Sequence, residues 1–217
     1  MNILYNTCNY LQKLTLKTFS NYKVTGRENI PPMGPLLIVS NHMSDIDPSI
    51  LATAIPRRLK FLAKDTLFIG FPISQILLSY GAYPLSRKKA DIKAIRWAKK
   101  SLGSTGTVVI FPEGTRNGGS MIQGKQGVAR LIQMTESTIL PVGITGTEKF
   151  KSVFRVFNPT GKITVNIGTP FSLPTLEGNI TNDVMKSMTD IIMMRISELL
   201  PEKYRGIYSL NKKGRDN

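Results

Sequence analysis

The sequence predicts a single α/β domain, with a mostly parallel central sheet flanked by helices and an amphipathic helix at the N-terminus. Three observations carry that prediction. Residues 36–39 and 107–111 are short, almost wholly apolar or β-branched runs, the pattern of strands buried on both faces. Segments with helical periodicity fall between such runs, and strands alternating with helices build parallel sheets. The length of 217 residues, 41% of them hydrophobic, suits one domain with a sizeable core and is short for two.

In chain order, residues 1–19 form the predicted amphipathic helix. Leu4, Cys8, Leu11 and Leu14 fall at helical spacing with Lys13 and Lys17 nearby, so the helix either packs on the domain or lies at a lipid surface. Residues 20–210 make the main domain. A short strand is expected at 22–25, a turn-rich stretch at 26–35 and a buried strand at 36–39. A helix opens at Asp47-Pro48, with Asp as its cap and Pro in its first turn. A strand follows at 59–63. Residues 66–86 carry no charge, but Gly70, Pro72, Gly81 and Pro84 interrupt them. A buried helix-turn segment or a shallow membrane-dipping surface is therefore expected in place of a spanning helix. Further helices are predicted at 88–102, with a stripe of Ile92, Ile95, Ala98 and Leu102, and at 125–134. Strands are predicted at 107–111, 138–144 and 162–167. A last helix, capped near Thr181 and stopped by Pro201, places Met185, Met188, Ile192 and Ile196 in the core. Residues 211–217 are a polar tail.

The formal charge of +15 implies attraction to something anionic. The single cysteine, Cys8, excludes an intrachain disulfide, and with a single histidine as well no metal site is expected. The first twenty residues lack the charged start and pure apolar core of a secretory signal. Nucleic acid is not expected as a partner, because the basic clusters are scattered and few aromatics interleave with them.

The one histidine, His42, lies in Asn41-His42-Met43-Ser44-Asp45-Ile46-Asp47-Pro48, just after the strand at 36–39. An imidazole is the ordinary proton acceptor near neutral pH, and it works better when a carboxylate holds its second nitrogen. Asp47 is the natural partner, because a turn into a helix folds residue 47 back towards residue 42; Asp45 is the other carboxylate within reach. A second compact motif, Phe111-Pro112-Glu113-Gly114-Thr115-Arg116, follows the strand at 107–111. Both motifs therefore stand where α/β sheets place their chemistry, beyond the carboxyl ends of strands.

These two blocks resemble the N-H-x4-D and third blocks of the glycerolipid acyltransferases, a family that includes bacterial 1-acylglycerol-3-phosphate acyltransferases. Gly81-Ala82-Tyr83-Pro84-Leu85-Ser86-Arg87 is a looser match to the second block, and Leu140-Pro141-Val142 resembles the fourth. The resemblance spans roughly residues 20–170. It implies transfer of a fatty acyl group from acyl-CoA or acyl carrier protein to the sn-2 hydroxyl of a lysophosphatidic acid, giving phosphatidic acid in phospholipid synthesis. His42 would be the base and Asp47 its orienting acid. Arg87 and Arg116 would grip the acceptor phosphate, with Lys64 as a further cation. Glu113, Gly114 and Thr115 would line the acceptor site, Glu113 either binding a glycerol hydroxyl or bracing an arginine. No cofactor is expected beyond the thioester donor. A lysolipid acceptor further implies a peripheral or monotopic enzyme on an anionic surface, at the cytoplasmic face of the cell membrane. Another lysolipid or glycerol 3-phosphate is the alternative acceptor.

Other motifs are weaker. Residues 119–125 mimic a phosphate-binding loop, but Gln126 stands where Ser or Thr is required. No Gly-x-Ser-x-Gly elbow occurs. A lipid-binding relative without catalysis is the remaining class, disfavoured by the intact His42, Asp47, Glu113 and Arg116.

Overall fold

The computed structural model of the chain describes residues 3–71, 73–86, 92–103, 105–178 and 180–209. Among them the elements run α1 (Ile3–Phe19), β1 (Ser20–Thr25), β2 (Leu36–Ser40), α2 (Asp47–Ala54), β3 (Leu59–Lys64), α3 (Ile73–Tyr80), β4 (Ala82–Leu85), α4 (Ile92–Leu102), β5 (Thr107–Ile110), α5 (Gly127–Thr135), β6 (Thr138–Thr145), β7 (Gly161–Ile167) and α6 (Asn182–Ser197). The strands form one sheet in the order β1-β7-β6-β2-β5-β3-β4. Every neighbouring pair is parallel except β6 and β7.

Strand β2 lies at the centre and is buried along its whole length. Alternate residues of a strand point to opposite faces, so a strand covered on both sides needs apolar residues at every position. Leu36 and Ile38 join the core beneath α1 and α2, with Ile50, Leu51 and Ile163. Leu37 and Val39 join the core on the other face, with Ala98 and Leu102 of α4, Val128 and Leu131 of α5, and Ile192 and Ile196 of α6. The result is three layers, helix–sheet–helix.

Helix α1 runs from Ile3 to Phe19, and of the two placements open to it, it docks on the domain by its polar side and not by the leucine stripe. Tyr5, Asn9, Gln12 and Leu16 are buried, whereas Leu4, Leu11 and Leu14 are exposed. The polar residues turn inward because partners await them. The Tyr5 hydroxyl accepts the Leu59 N–H at 3.0 Å, and the Tyr80 hydroxyl donates to Asn9 Oδ1 at 2.7 Å. The leucine stripe is left facing outward. Residues 66–86 resolve into a turn, the short helix α3 and the edge strand β4, and no helix among the described residues is long and apolar enough to cross a membrane. In α4 the inward stripe contains Ala94, Ala98 and Leu102, while Ile92 is exposed, contrary to the expected stripe. The first four residues of that predicted helix, 88–91, and the tail at 211–217 lie outside the described residues. Helix α6 opens with the Thr181 hydroxyl accepting the Val184 N–H and ends at Ser197, three residues short of the expected Leu200.

Candidate active site

Strands β2 and β5 are parallel neighbours in the register Leu36↔Thr107 to Val39↔Ile110. Their carboxyl ends therefore release the two sequence motifs side by side. Backbone and side-chain bonds then hold the two loops together. The His42 N–H donates to Glu113 Oε1 at 3.1 Å, and the Asn117 N–H donates to the His42 carbonyl at 3.2 Å. On the other side, Asn41 imitates one more rung of sheet. Its Nδ2 donates to the Ile144 carbonyl at 2.9 Å and its Oδ1 accepts the Ile144 N–H at 2.8 Å, fastening the loop to β6.

His42 and Asp47 meet as the spacing predicts, with Nδ1 2.9 Å from Asp47 Oδ2. Asp47 is completely buried, while the His42 side chain keeps 14% exposure and stacks on Phe111 at 4.1 Å. Donation from Nδ1 leaves the Nε2 lone pair as the base. The expected cap at Asp47 is not what the carboxylate does. It reaches backwards and accepts the N–H groups of Met43 and Ser44 at 2.7 and 2.8 Å, closing the loop that carries His42. Its Oδ1 accepts the hydroxyl of the buried Thr147 at 2.7 Å. Asp45, the other carboxylate near His42, is instead ion-paired with Arg116 on the surface.

Glu113 is buried beneath the site. Besides the His42 N–H it accepts the Ile122 N–H at 2.9 Å and the Asn117 amide. It therefore ties the His42 loop to two points of its own loop, and among the described residues no arginine is its partner. Burial pushes its carboxyl up to about 7, against the pull of the Ile122 and His42 N–H groups; the nearby Asp47 charge adds to the rise. Gly114 turns the chain at φ +67°, and a Cβ there would lie 3.0 Å from the end of the Lys125 side chain, which covers the turn. Thr115 and Arg116 are exposed at the rim. Lys64 is exposed at the carboxyl end of β3, next to β5 in the sheet. Arg87 lies outside the described residues.

A groove of about 410 Å³ opens beside Phe111, Pro112 and Gly114. Leu62, Leu85, Ile95, Ile110 and Leu131 line it, and Lys125 stands in its wall.

Sequence reasoning missed Asn41, Asn117, Ile122, Thr147 and Lys125. Ile122 acts through its backbone, which no side-chain pattern announces. Thr147 had one readable signal: it follows β6, the other neighbour of β2, at the same end of the sheet. Residues 119–125, which imitate a phosphate loop, serve instead to carry the Ile122 N–H and Lys125 to the site.

A profile of the acyltransferase family matches residues 21–145. The chain is 27% identical over 197 residues to a 1-acyl-sn-glycerol-3-phosphate acyltransferase of Bacillus subtilis (strain 168), covering 90% of this chain and 96% of that one. It is 32% identical over 142 residues to the protein of the same name from Borreliella burgdorferi, covering 62% of this chain and 55% of that one. The crystal structure of the 1-acyl-sn-glycerophosphate (LPA) acyltransferase PlsC from Thermotoga maritima shares the fold, with a TM-score of 0.68 at 22% identity over 90% of this chain and 78% of that one. Because the profile runs from β1 to β6, through both loops that meet at His42, the chain belongs to the acyltransferase family.

Proposed function

We propose that this chain transfers a fatty acyl group from acyl-CoA or acyl carrier protein to the sn-2 hydroxyl of 1-acylglycerol 3-phosphate, giving phosphatidic acid. The observation that carries the reading is the His42–Asp47 pair, whose partly exposed imidazole stacks on Phe111 at the edge of an apolar groove, near a cationic rim. Nε2 takes the proton of the acceptor hydroxyl as its oxygen attacks the thioester carbonyl. Asp47 holds the ring and stabilises the imidazolium. The tetrahedral adduct collapses by breaking the C–S bond, and the imidazolium returns the proton to the departing thiolate. No acyl-enzyme is needed.

Arg116 supplies a guanidinium for the acceptor phosphate, and exchange of its Asp45 partner for phosphate keeps the charge paired. Lys125 adds an ammonium on the groove side of Gly114. The groove suits an acyl chain, being apolar over most of its wall. The charge of +15 and the outward leucines of α1 support peripheral attachment to an anionic leaflet at the cytoplasmic face.

Thiol release from a long-chain acyl thioester, with and without 1-acylglycerol 3-phosphate, tests the reaction. Release is expected to require the acceptor and to vanish in His42→Ala with the fold intact. Release indifferent to the acceptor would mean a thioesterase, and a variant keeping most of its kcat would remove His42 as the base.

A further inference from the structure

We propose that the turn of residues 149–158, with Phe154 and Phe157 at its tip, is a lipid-inserting element that seats the catalytic end of the sheet on an anionic leaflet. The proposal rests on the membrane reading above and assigns it a surface outside α1 and residues 66–86. Phe154 is 74% and Phe157 67% exposed, and Val153 beside them is exposed as well. Such rings in water on a basic protein call for a cover. Lys149, Lys151 and Arg155 lie in the same stretch, which contains no acidic residue. Aromatic side chains presented among lysine and arginine are the composition of interfacial lipid-binding segments.

The rings are not carried on a loose end. Ser152 caps the turn by accepting the Phe154 N–H, and the Arg155 and Phe157 N–H groups bond back to the carbonyls of Ser152 and Phe154, both at 3.1 Å. Phe150 anchors the turn in the core, with the Arg155 guanidinium over its ring at 5.1 Å. The Thr15 hydroxyl donates to the Val156 carbonyl at 2.8 Å, fixing the turn against α1. Leu11, four residues before Thr15, is on that side of the helix and exposed, so helix and turn present adjoining apolar surface.

The same segment, with Thr147 just before it, is bonded to the loop of the catalytic pair. Thr147 bonds Asp47, and the Ser44 hydroxyl donates to the Phe150 carbonyl at 2.6 Å. An aromatic tip held in the headgroup region therefore fixes where His42 stands relative to the bilayer. An acidic carrier protein would match the cations but leaves the two bare phenyl rings unexplained, so the leaflet is the occupant the surface fits.

The test uses the full chain and its F154S/F157S variant. Both are sedimented with vesicles of phosphatidylglycerol and phosphatidylcholine, and both are assayed on a short-chain 1-acylglycerol 3-phosphate that is monomeric in solution. Vesicle affinity is expected to fall by about tenfold or more, with turnover on the monomeric acceptor unchanged. A folded variant that sediments like the native chain overturns the proposal. So does equal loss on monomeric and vesicle-borne acceptor, which would place the rings in substrate binding. A raised KM for acyl carrier protein with vesicle binding intact overturns it in favour of the carrier. If the native chain itself ignores vesicles, the membrane reading fails, and the proposal fails with it. Phe154→Trp gives a direct second measurement: its emission is expected to shift to the blue on adding vesicles, and an unshifted spectrum overturns insertion.

Discussion

Four donors converge on Asp47: His42 Nδ1, the N–H groups of Met43 and Ser44, and the Thr147 hydroxyl. Each constrains where the carboxylate can point, so the imidazole has one orientation available. Asp47→Asn would set an amide N–H₂ against those donors and favour the wrong ring tautomer. Its kcat is expected to fall by about a thousandfold or more in the thioester assay. Thr147→Val, which removes one donor from a carboxylate that keeps three, is expected to lower kcat by about tenfold with KM unchanged, and Thr147→Ser to restore it. A rise in KM alone would show that Thr147 shapes the acceptor pocket instead. Glu113 gives a different signal. Its carboxyl, ordinarily near 4.5, sits at about 7 in the folded protein. Between those values the native chain holds a proton that the unfolded chain has lost. The contribution to stability is complete below about pH 4.5 and is lost as pH rises through about 7, on the order of 3 kcal/mol in all. The stability of the native chain relative to Glu113→Gln is therefore expected to fall across that window in thermal unfolding. A constant difference would show that the carboxyl does not titrate there.

At the scale of elements, what the sequence made readable was what its own periodicity encodes. The apolar run of β2 announced a buried strand because both faces of that strand are covered. β7, apolar only at alternate positions in its buried pattern, read as one-sided. The docking face of α1 was hidden, since Tyr5, Asn9 and Gln12 are buried through partners on β3 and α3 or by local packing that composition does not reveal. The same holds for the link from β6 to the site. Gly146 turns at φ +88°, and a Cβ there would fall 1.9 Å from the Lys162 carbonyl oxygen. Gly146→Ala must distort the β6–β7 connection immediately before Thr147. It is expected to cost about 1–3 kcal/mol of stability in denaturant unfolding and to lower kcat as well. A loss of stability with kcat untouched would uncouple that turn from Asp47.

Across the whole molecule, the fold class, the central strands and the pairing of His42 with Asp47 were legible because each follows from local spacing. The role of Glu113 was not, since it depends on three N–H donors brought together from two loops. The groove likewise gathers walls from β3, β4, α4, β5 and α5, and no linear pattern marks it. Ile95→Trp, which fills part of that groove, is expected to shift preference towards shorter acyl thioesters, read as the ratio of kcat/KM for medium-chain over long-chain donors. An unchanged ratio would move the acyl chain elsewhere. The sheet order has a consequence for synthesis. β1 is the first strand made, yet it lies at the sheet edge with β7 as its neighbour. On the ribosome it must wait for residues 161–167 before it can pair. Until then α1, joined directly to β1, is held through its contacts with β3 and α3, and its leucines are already presented outward. Translation therefore delivers the outward apolar stripe well before the catalytic domain that it serves is closed.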